Sequence, residues 1–238
     1  MVSSEIPFHK LAVVCATYNE ADNITELVKQ VLVFPCHLVV VDDNSPDGTS
    51  TIISALQKGF KNLHLIKRAG KLGYGSAYVE GFRYALNVLK ADFVVSIDAD
   101  LSHEPGVIPE LARKAQNFDV VIGSRYVSGG GTSWTLHRKL MSFSANFLAR
   151  LFLGIPAHDM TSGYRCYSAK VIRAIDFSAV KSDGYSFLQE ILYRVHKQGF
   201  SIAEVPIFFR DRREGKSKLS KKEIFNFFRN LVRLRFGY

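Results

Sequence analysis

Asp98 and Asp100 stand two residues apart, directly after the apolar run Val94-Val-Ser-Ile97. Carboxylates this close repel each other unless a cation lies between them. A hard divalent ion such as Mg²⁺ takes a few carboxylates together with the oxygens of a phosphorylated substrate. A solvated turn, with Asp100 capping a helix that begins near Pro105, would use the same residues. The company the pair keeps favours metal chemistry. Asp42-Asp43 closes another apolar run, and Tyr18 and Glu20 follow a third. A carboxylate at the end of a buried strand can accept hydrogen bonds from the base or ribose of a nucleotide. The turn Ser45-Pro-Asp-Gly48 accounts for the proline and glycine there, not for the acids before them. Tyr18 and Glu20 could touch the same moiety, and Glu20 reads equally well as a first-turn acid answering the helix dipole.

Phosphates need cations. Arg125 ends a fifth apolar run, Arg138-Lys139 follow Ser128-Gly-Gly-Gly131, and Asp211-Arg-Arg-Glu-Gly-Lys-Ser-Lys218 sets glycine among charges. That last segment, with Arg212 and Lys218, suits a loop closing over a diphosphate. Gly215-Lys-Ser217 is not a P-loop, because Arg210 occupies the place of the upstream glycine. Gly70, Gly73 and Gly75 do not make the dinucleotide fingerprint either.

These residues need a scaffold that brings them together. Short β-branched runs at 11–16, 37–41, 63–66, 93–97 and 120–122 alternate with helical patterns over 21–34, 49–58, 75–89 and 105–115. Continuous apolar strands separated by helices predict an α/β domain, its sheet mostly parallel and covered by helices on both faces. In such a sheet ligands bind beyond the carboxyl ends of the strands, which is where the polar clusters fall. The second half is less regular, with expected helices near 140–152 and 187–198 and a strand near 202–209.

The formal net charge is +9, and residues 210–238 hold ten basic and three acidic side chains, a net of +7. Residues 221–236 place Ile224, Phe225, Phe228, Leu231 and Val232 at helical spacing among cations, a pattern that fits a membrane interface or a helix packed on the domain. The expected division is therefore a catalytic domain over 1–219 and a basic amphipathic helix over 220–238. Aromatic and basic residues interleave there without a nucleic-acid motif, so nucleic acid is not an expected partner. The opening residues lack the apolar core of a signal peptide, and no run reaches the roughly 18 apolar residues of a spanning helix. Cys15, Cys36 and Cys166 are widely spaced, predicting reduced thiols in a cytoplasmic setting.

Taken together, Ala16-Thr-Tyr-Asn-Glu20, Val41-Asp-Asp-Asn-Ser-Pro-Asp-Gly-Thr49, Lys71-Leu-Gly-Tyr-Gly75, Asp98-Ala-Asp-Leu-Ser-His103, Gly123-Ser-Arg-Tyr126, Gly184-Tyr-Ser-Phe187, Glu204-Val-Pro-Ile207 and Asp211–Lys218 resemble the family 2 glycosyltransferases of GT-A fold. Within them the likeness is to the dolichol-phosphate (polyprenol-phosphate) mannose synthases. The resemblance implies inverting transfer of mannose from GDP-mannose to a polyprenyl phosphate, dependent on Mg²⁺ or Mn²⁺, on the cytosolic face of a membrane. A separate membrane subunit is a possible partner. It implies that Tyr18, Glu20, Val41 and Asp43 hold the guanosine, with a main-chain contact at Ala16, where many members carry proline. Asp98 and Asp100 would bind the metal, Ala99 would pack beside the nucleotide, and Arg125, Arg138, Arg212 and Lys218 would meet diphosphate or acceptor phosphate. Ser102, where some members have glutamine, would complete the metal shell directly or through water. Asp100, Arg125 and Glu190 are the expected catalytic residues, Glu190 orienting mannose or stabilising positive charge at its anomeric carbon. Glucosyl or N-acetylhexosaminyl transfer to the same lipid, and a noncatalytic nucleotide-binding subunit, are the competing readings.

Overall fold

The computed structural model describes residues 7–182, 184–211 and 221–237. In chain order the elements are β1 (Leu11–Thr17), α1 (Ala21–Val31), β2 (His37–Asp42), α2 (Thr49–Leu56), β3 (Leu63–Lys67), α3 (Tyr74–Asn87), β4 (Phe93–Asp98), α4 (Ile108–Ala115) and β5 (Val120–Ser124). There follow β6 (Gly131–Thr132), α5 (Leu136–Leu153), β7 (Arg165–Ser168), α6 (Ala169–Ala174), α7 (Gly184–Lys197), β8 (Ile202–Pro206), β9 (Phe208–Phe209) and α8 (Lys221–Phe236).

The main sheet has seven strands in the order β3-β2-β1-β4-β7-β5-β8, and β6 pairs with β9 in a small second sheet. All pairings in the main sheet are parallel except those of β7, which lies antiparallel between β4 and β5. Alternate strand residues feed two cores. Ala12, Val14, Val39 and Val41 pack toward α3 and α7, while Leu11, Val13, Leu38 and Val40 pack toward α1, α2 and α4. Strands buried on both faces are largely apolar, which is why most of them read as near-continuous runs. Gly81 lets α3 lie against β1, since a Cβ there would collide with Val14.

Several features depart from the sequence expectation, α6 and β6 among them. A short 3₁₀ turn, Pro105–Val107, precedes α4, so the helix expected from Pro105 begins at Ile108. The strand expected over 202–209 breaks into β8 and β9 at Ile207. β7 was not expected, because it is four residues long and opens with arginine. Arg165 is nevertheless fully buried: its guanidinium donates to the carbonyls of Ser162 (2.8 Å), Leu188 (2.8 Å) and Met160 (2.8 Å). The three cysteines are free and buried.

β1 is the switch point: the chain moves from it to β2 and β3 on one side, then to β4 on the other. Register places Ala16 opposite both Val41 and Asp98, and Thr17 opposite Asp42. A crevice beyond these strand ends is where an open α/β sheet binds its ligand.

Candidate active site

The loops after β1, β2 and β4 each contain a non-glycine residue with positive φ: Asn19 (60°), Asn44 (57°) and Leu101 (58°). Asparagine tolerates this region, whereas leucine adopts it only where its surroundings over-determine the backbone. Leu101 thus marks a sharply turned loop between Asp100 and Ser102.

Asp42 is fully buried and accepts from Thr17 Oγ1 (3.0 Å), Ser45 N (3.0 Å), Ser45 Oγ (2.5 Å) and Ser50 Oγ (2.5 Å). It ties β1, the turn and α2 together. Its neighbour Asp43 accepts from Arg68 Nη1 (2.5 Å) and from the Gly73 amide (3.0 Å). Arg68 in turn lies 3.1 Å from Glu80 and donates to Ser76 Oγ at 2.8 Å. The ring of Tyr18 carries the Lys71 ammonium at 3.7 Å from its centroid, and Glu20 accepts from Asn23 Nδ2 at 3.0 Å. Val41 is buried, so its side chain belongs to the core.

Asp98 is partly exposed and takes a hydrogen bond from the Tyr74 hydroxyl (3.2 Å). The Tyr78 hydroxyl donates to the Ile97 carbonyl at 2.8 Å and lies 3.4 Å from the same carboxylate oxygen. Behind the pair, the Asp98 amide donates to His103 Nδ1 at 3.3 Å, which puts the ring proton on Nε2. Burial lowers the His103 pKa and outweighs the pull of Asp98 and Asp100. The ring is therefore neutral, and its 3.7 Å approach to Asp98 is not an ion pair. Asp100 is buried and accepts from the Ser102 amide at 3.1 Å, a local turn bond rather than a helix cap. Ala99 is buried between them. Burial pushes the Cys15 thiol up, and the negative field of Asp98, Glu20 and Asp100 adds to this.

Among the described residues no cluster of three or more His, Cys, Asp or Glu forms a metal cage. Two carboxylates plus ligand oxygens is the donor set that Mg²⁺ or Mn²⁺ uses with nucleotides. Ser102 Oγ is buried without a hydrogen-bond partner among the described residues, an oxygen uncommitted there beside Asp100. The residues fit a hard divalent ion.

Arg125 is bidentate on Asp159, from Nε (2.7 Å) and Nη2 (2.7 Å), and also donates to Thr161 Oγ1 (2.7 Å). Burial raises the Asp159 pKa, but the Arg125 charge and hydrogen bonds outweigh it and hold the carboxyl below its usual range. The same carboxylate caps the amides of Thr161 (3.3 Å) and Ser162 (3.0 Å). This loop delivers Gly163 to Asp98: a Cβ on Gly163 would stand 2.8 Å from the Tyr74 hydroxyl and 3.4 Å from Asp98 Oδ1. Arg138 lies over the Trp134 ring at 4.1 Å and donates to Asp211 at 3.0 Å. Arg212 and Lys218 lie outside the described residues.

Glu190 is buried on α7 and joins that helix to α8. It accepts from Ser182 Oγ (2.6 Å) and Arg194 Nη2 (2.8 Å), and it is paired with Arg233. Burial raises its pKa; the bonds from Ser182 and Arg194 and the charge of Arg233 override that and lower it. One turn earlier, Phe187 meets Tyr74 edge-on at 6.5 Å, so α7 backs the tyrosine that holds Asp98.

Several of these groups escaped sequence reasoning. Asp159-Met-Thr-Ser-Gly163 is a run of small polar residues ahead of β7, and Arg68, Tyr74 and Tyr78 sit in or before α3. The available signal was the strand-end rule, which β7 obscured.

The fold, a mostly parallel seven-stranded sheet between helices, is of the GT-A type. The profile of glycosyl transferase family 2 matches residues 12–176, and the chain belongs to that family. It is 39% identical over 224 residues to polyprenol monophosphomannose synthase of Mycolicibacterium smegmatis, covering 92% of this chain and 84% of that protein. It is 37% identical over 214 residues to undecaprenyl-phosphate mannosyltransferase of Micrococcus luteus, covering 89% and 88%. Among solved structures it superposes on glucosyl-3-phosphoglycerate synthase from Mycobacterium tuberculosis, in complex with Mn²⁺, UDP and glucosyl-3-phosphoglycerate. There the TM-score is 0.66 at 21% identity, over 94% of this chain and 78% of the other, a likeness of fold.

Proposed function

We propose that this protein transfers mannose from GDP-mannose to the phosphate of a polyprenyl monophosphate, with inversion at the anomeric carbon. The supporting observation is the placement of Asp98 and Asp100 at the switch point, beside Ala16, in a chain related along most of its length to polyprenyl-phosphate mannosyltransferases. Asp98 and Asp100, with Ser102 directly or through water, hold Mg²⁺ or Mn²⁺, which when bound neutralises the departing diphosphate. Ala16 and Val41, whose side chain is in the core, contribute main-chain contacts only, Tyr18, Glu20 and Asp43 surround the guanosine, and Ala99 packs beside it. Arg138, Arg212 and Lys218 meet the phosphates. Arg125 holds the loop of Thr161 and Gly163 against Asp98 through its bond to Asp159, and in this reading it also meets diphosphate or acceptor phosphate. The acceptor is already anionic at neutral pH, so attack needs no general base. Glu190, fixed by Arg194 and Arg233, sets the electrostatics behind the sugar.

No helix among the described residues is long and apolar enough to cross a membrane. α5 nevertheless exposes Leu136, Leu140, Phe143, Phe147 and Leu151, and α8 exposes Phe228, Val232 and Phe236 beside Arg229 and Arg235. Phe152 and Phe236 touch edge to face at 5.9 Å, which makes the two faces continuous. In this reading the surface rests in the cytosolic leaflet, its cations against anionic headgroups. A membrane subunit is the alternative occupant, and binding to protein-free vesicles separates the two.

The test is incubation with labelled GDP-mannose, Mg²⁺ or Mn²⁺ and a polyprenyl phosphate, with UDP-glucose in parallel. Label entering the lipid from GDP-mannose supports the reading. Transfer from UDP-glucose alone, or from neither donor, overturns it.

A further inference from the structure

Trp134 lies two residues before α5, outside every segment that points to the nucleotide. It is 9% exposed, and its indole Nε1–H has no hydrogen-bond partner among the described residues. A buried donor without an acceptor is costly and uncommon in a folded protein, and it persists where a ligand supplies the missing acceptor. The surroundings specify the ligand's charge. The Arg138 guanidinium carbon lies 4.1 Å from the ring centroid and that of Arg125 lies 4.9 Å from it. Phe209 meets the ring edge-on at 5.3 Å, closing the apolar side.

Stacking on an indole fixes a guanidinium by its face and leaves its in-plane N–H groups available for an oxyanion. Of those groups only Nη1 is engaged by the described residues, by Asp211 at 3.0 and 3.3 Å. That ion pair is exposed on both sides, 30% and 56%, so it exchanges readily for a phosphate. Asp211 also donates its amide to Ser133 Oγ at 2.8 Å, which fixes the carboxylate partner of Arg138 beside Trp134.

We propose that Trp134 is a phosphate-site residue of this enzyme. Its face positions Arg138, and its N–H donates to a phosphoryl oxygen once Arg138 turns from Asp211 to the same phosphate. The phosphate belongs either to the sugar nucleotide or to the polyprenyl acceptor, and the inference rests on the transfer reaction proposed above.

Trp134 is the only tryptophan in the chain, so its emission reports on this site alone. The wild-type protein with Mn²⁺ is titrated with GDP and, separately, with a short-chain polyprenyl phosphate. One of them should change the emission saturably. Trp134→Phe keeps an aromatic face but removes the N–H; it should raise KM for that same ligand about tenfold or more. Its kcat should stay within about twofold; any fall in melting temperature reports the lost ring volume, since the N–H bonds nothing among the described residues of the unliganded fold. Unchanged emission with both ligands overturns the proposal, as does a Trp134→Phe enzyme whose two KM values match wild type. A wild-type protein that transfers no mannose refutes the reaction instead, a result kept distinct by the emission titrations.

Discussion

Asp159→Ala removes one half of the ion pair that holds the loop after α5. Asp159 is fully buried and Arg125 is 7% exposed, so the arginine is left with little water to replace its partner. The amides of Thr161 and Ser162 lose their acceptor as well. Removing one partner of a buried pair costs about 3–5 kcal/mol. For a chain of this size about 2–4 °C accompanies each kcal/mol, so the melting temperature should fall by about 6–20 °C. Thermal and urea unfolding measure this without reference to activity. Replacing both groups, Arg125→Met with Asp159→Leu, should restore much of the loss, because no charge is then stranded. The pH dependence has a fixed sign. The folded pKa of Asp159 is depressed, so its contribution is present above the unfolded value, about 3.9, and is lost as pH falls through the folded one. The gap between wild type and Asp159→Ala should narrow below about pH 4. A single variant that loses under about 1 kcal/mol, or a double variant as unstable as the two singles summed, refutes a buried, stabilising role for the pair.

Four further outcomes follow from the same geometry. Asp100→Ala should abolish transfer and, in wild-type comparison by thermal shift, remove the added stability that Mn²⁺ and GDP confer; full turnover would dismiss the carboxylate pair as the metal site. Glu190→Gln should reduce turnover and cost about 1–2 kcal/mol, discounted because Arg194 and Arg233 are partly exposed; unreduced turnover removes Glu190 from the reaction. Phe228→Glu with Val232→Glu, both at exposed positions of α8, should weaken sedimentation with anionic vesicles while leaving the melting temperature within about 1 °C; undiminished binding sinks the membrane face. The anomeric carbon of the product, read by NMR, should be β from an α-linked donor; an α-linked product contradicts a single displacement.

Much of the site was legible because its residues follow strands that announce themselves. β1, β2 and β4 are apolar along most of their length, so the acids at and just after their ends sit at the carboxyl edge of the sheet. The two carboxylates of β2 illustrate the limit: sequence shows a pair, but only the fold separates Asp42, closed off by four donors, from Asp43, which faces Arg68 and Gly73. Arg125 was legible as a cation at a strand end, whereas its partner Asp159 lies 34 residues away, beyond α5 and just ahead of β7, which sequence did not mark as a strand. β7 stayed hidden because Arg165 is buried by bonding to carbonyls, a solution that leaves no apolar pattern. α5 read as an ordinary apolar helix; periodicity finds a helix face but does not say whether protein covers it, and here only Asn146, Ala149 and Leu153 are buried.

The most direct measurement is anomalous scattering from crystals grown with Mn²⁺ and GDP. The account predicts one manganese peak between Asp98, Asp100 and the diphosphate, with the guanine beside Tyr18 and Asp43. Manganese bound away from both aspartates, or a diphosphate that approaches neither, would contradict it.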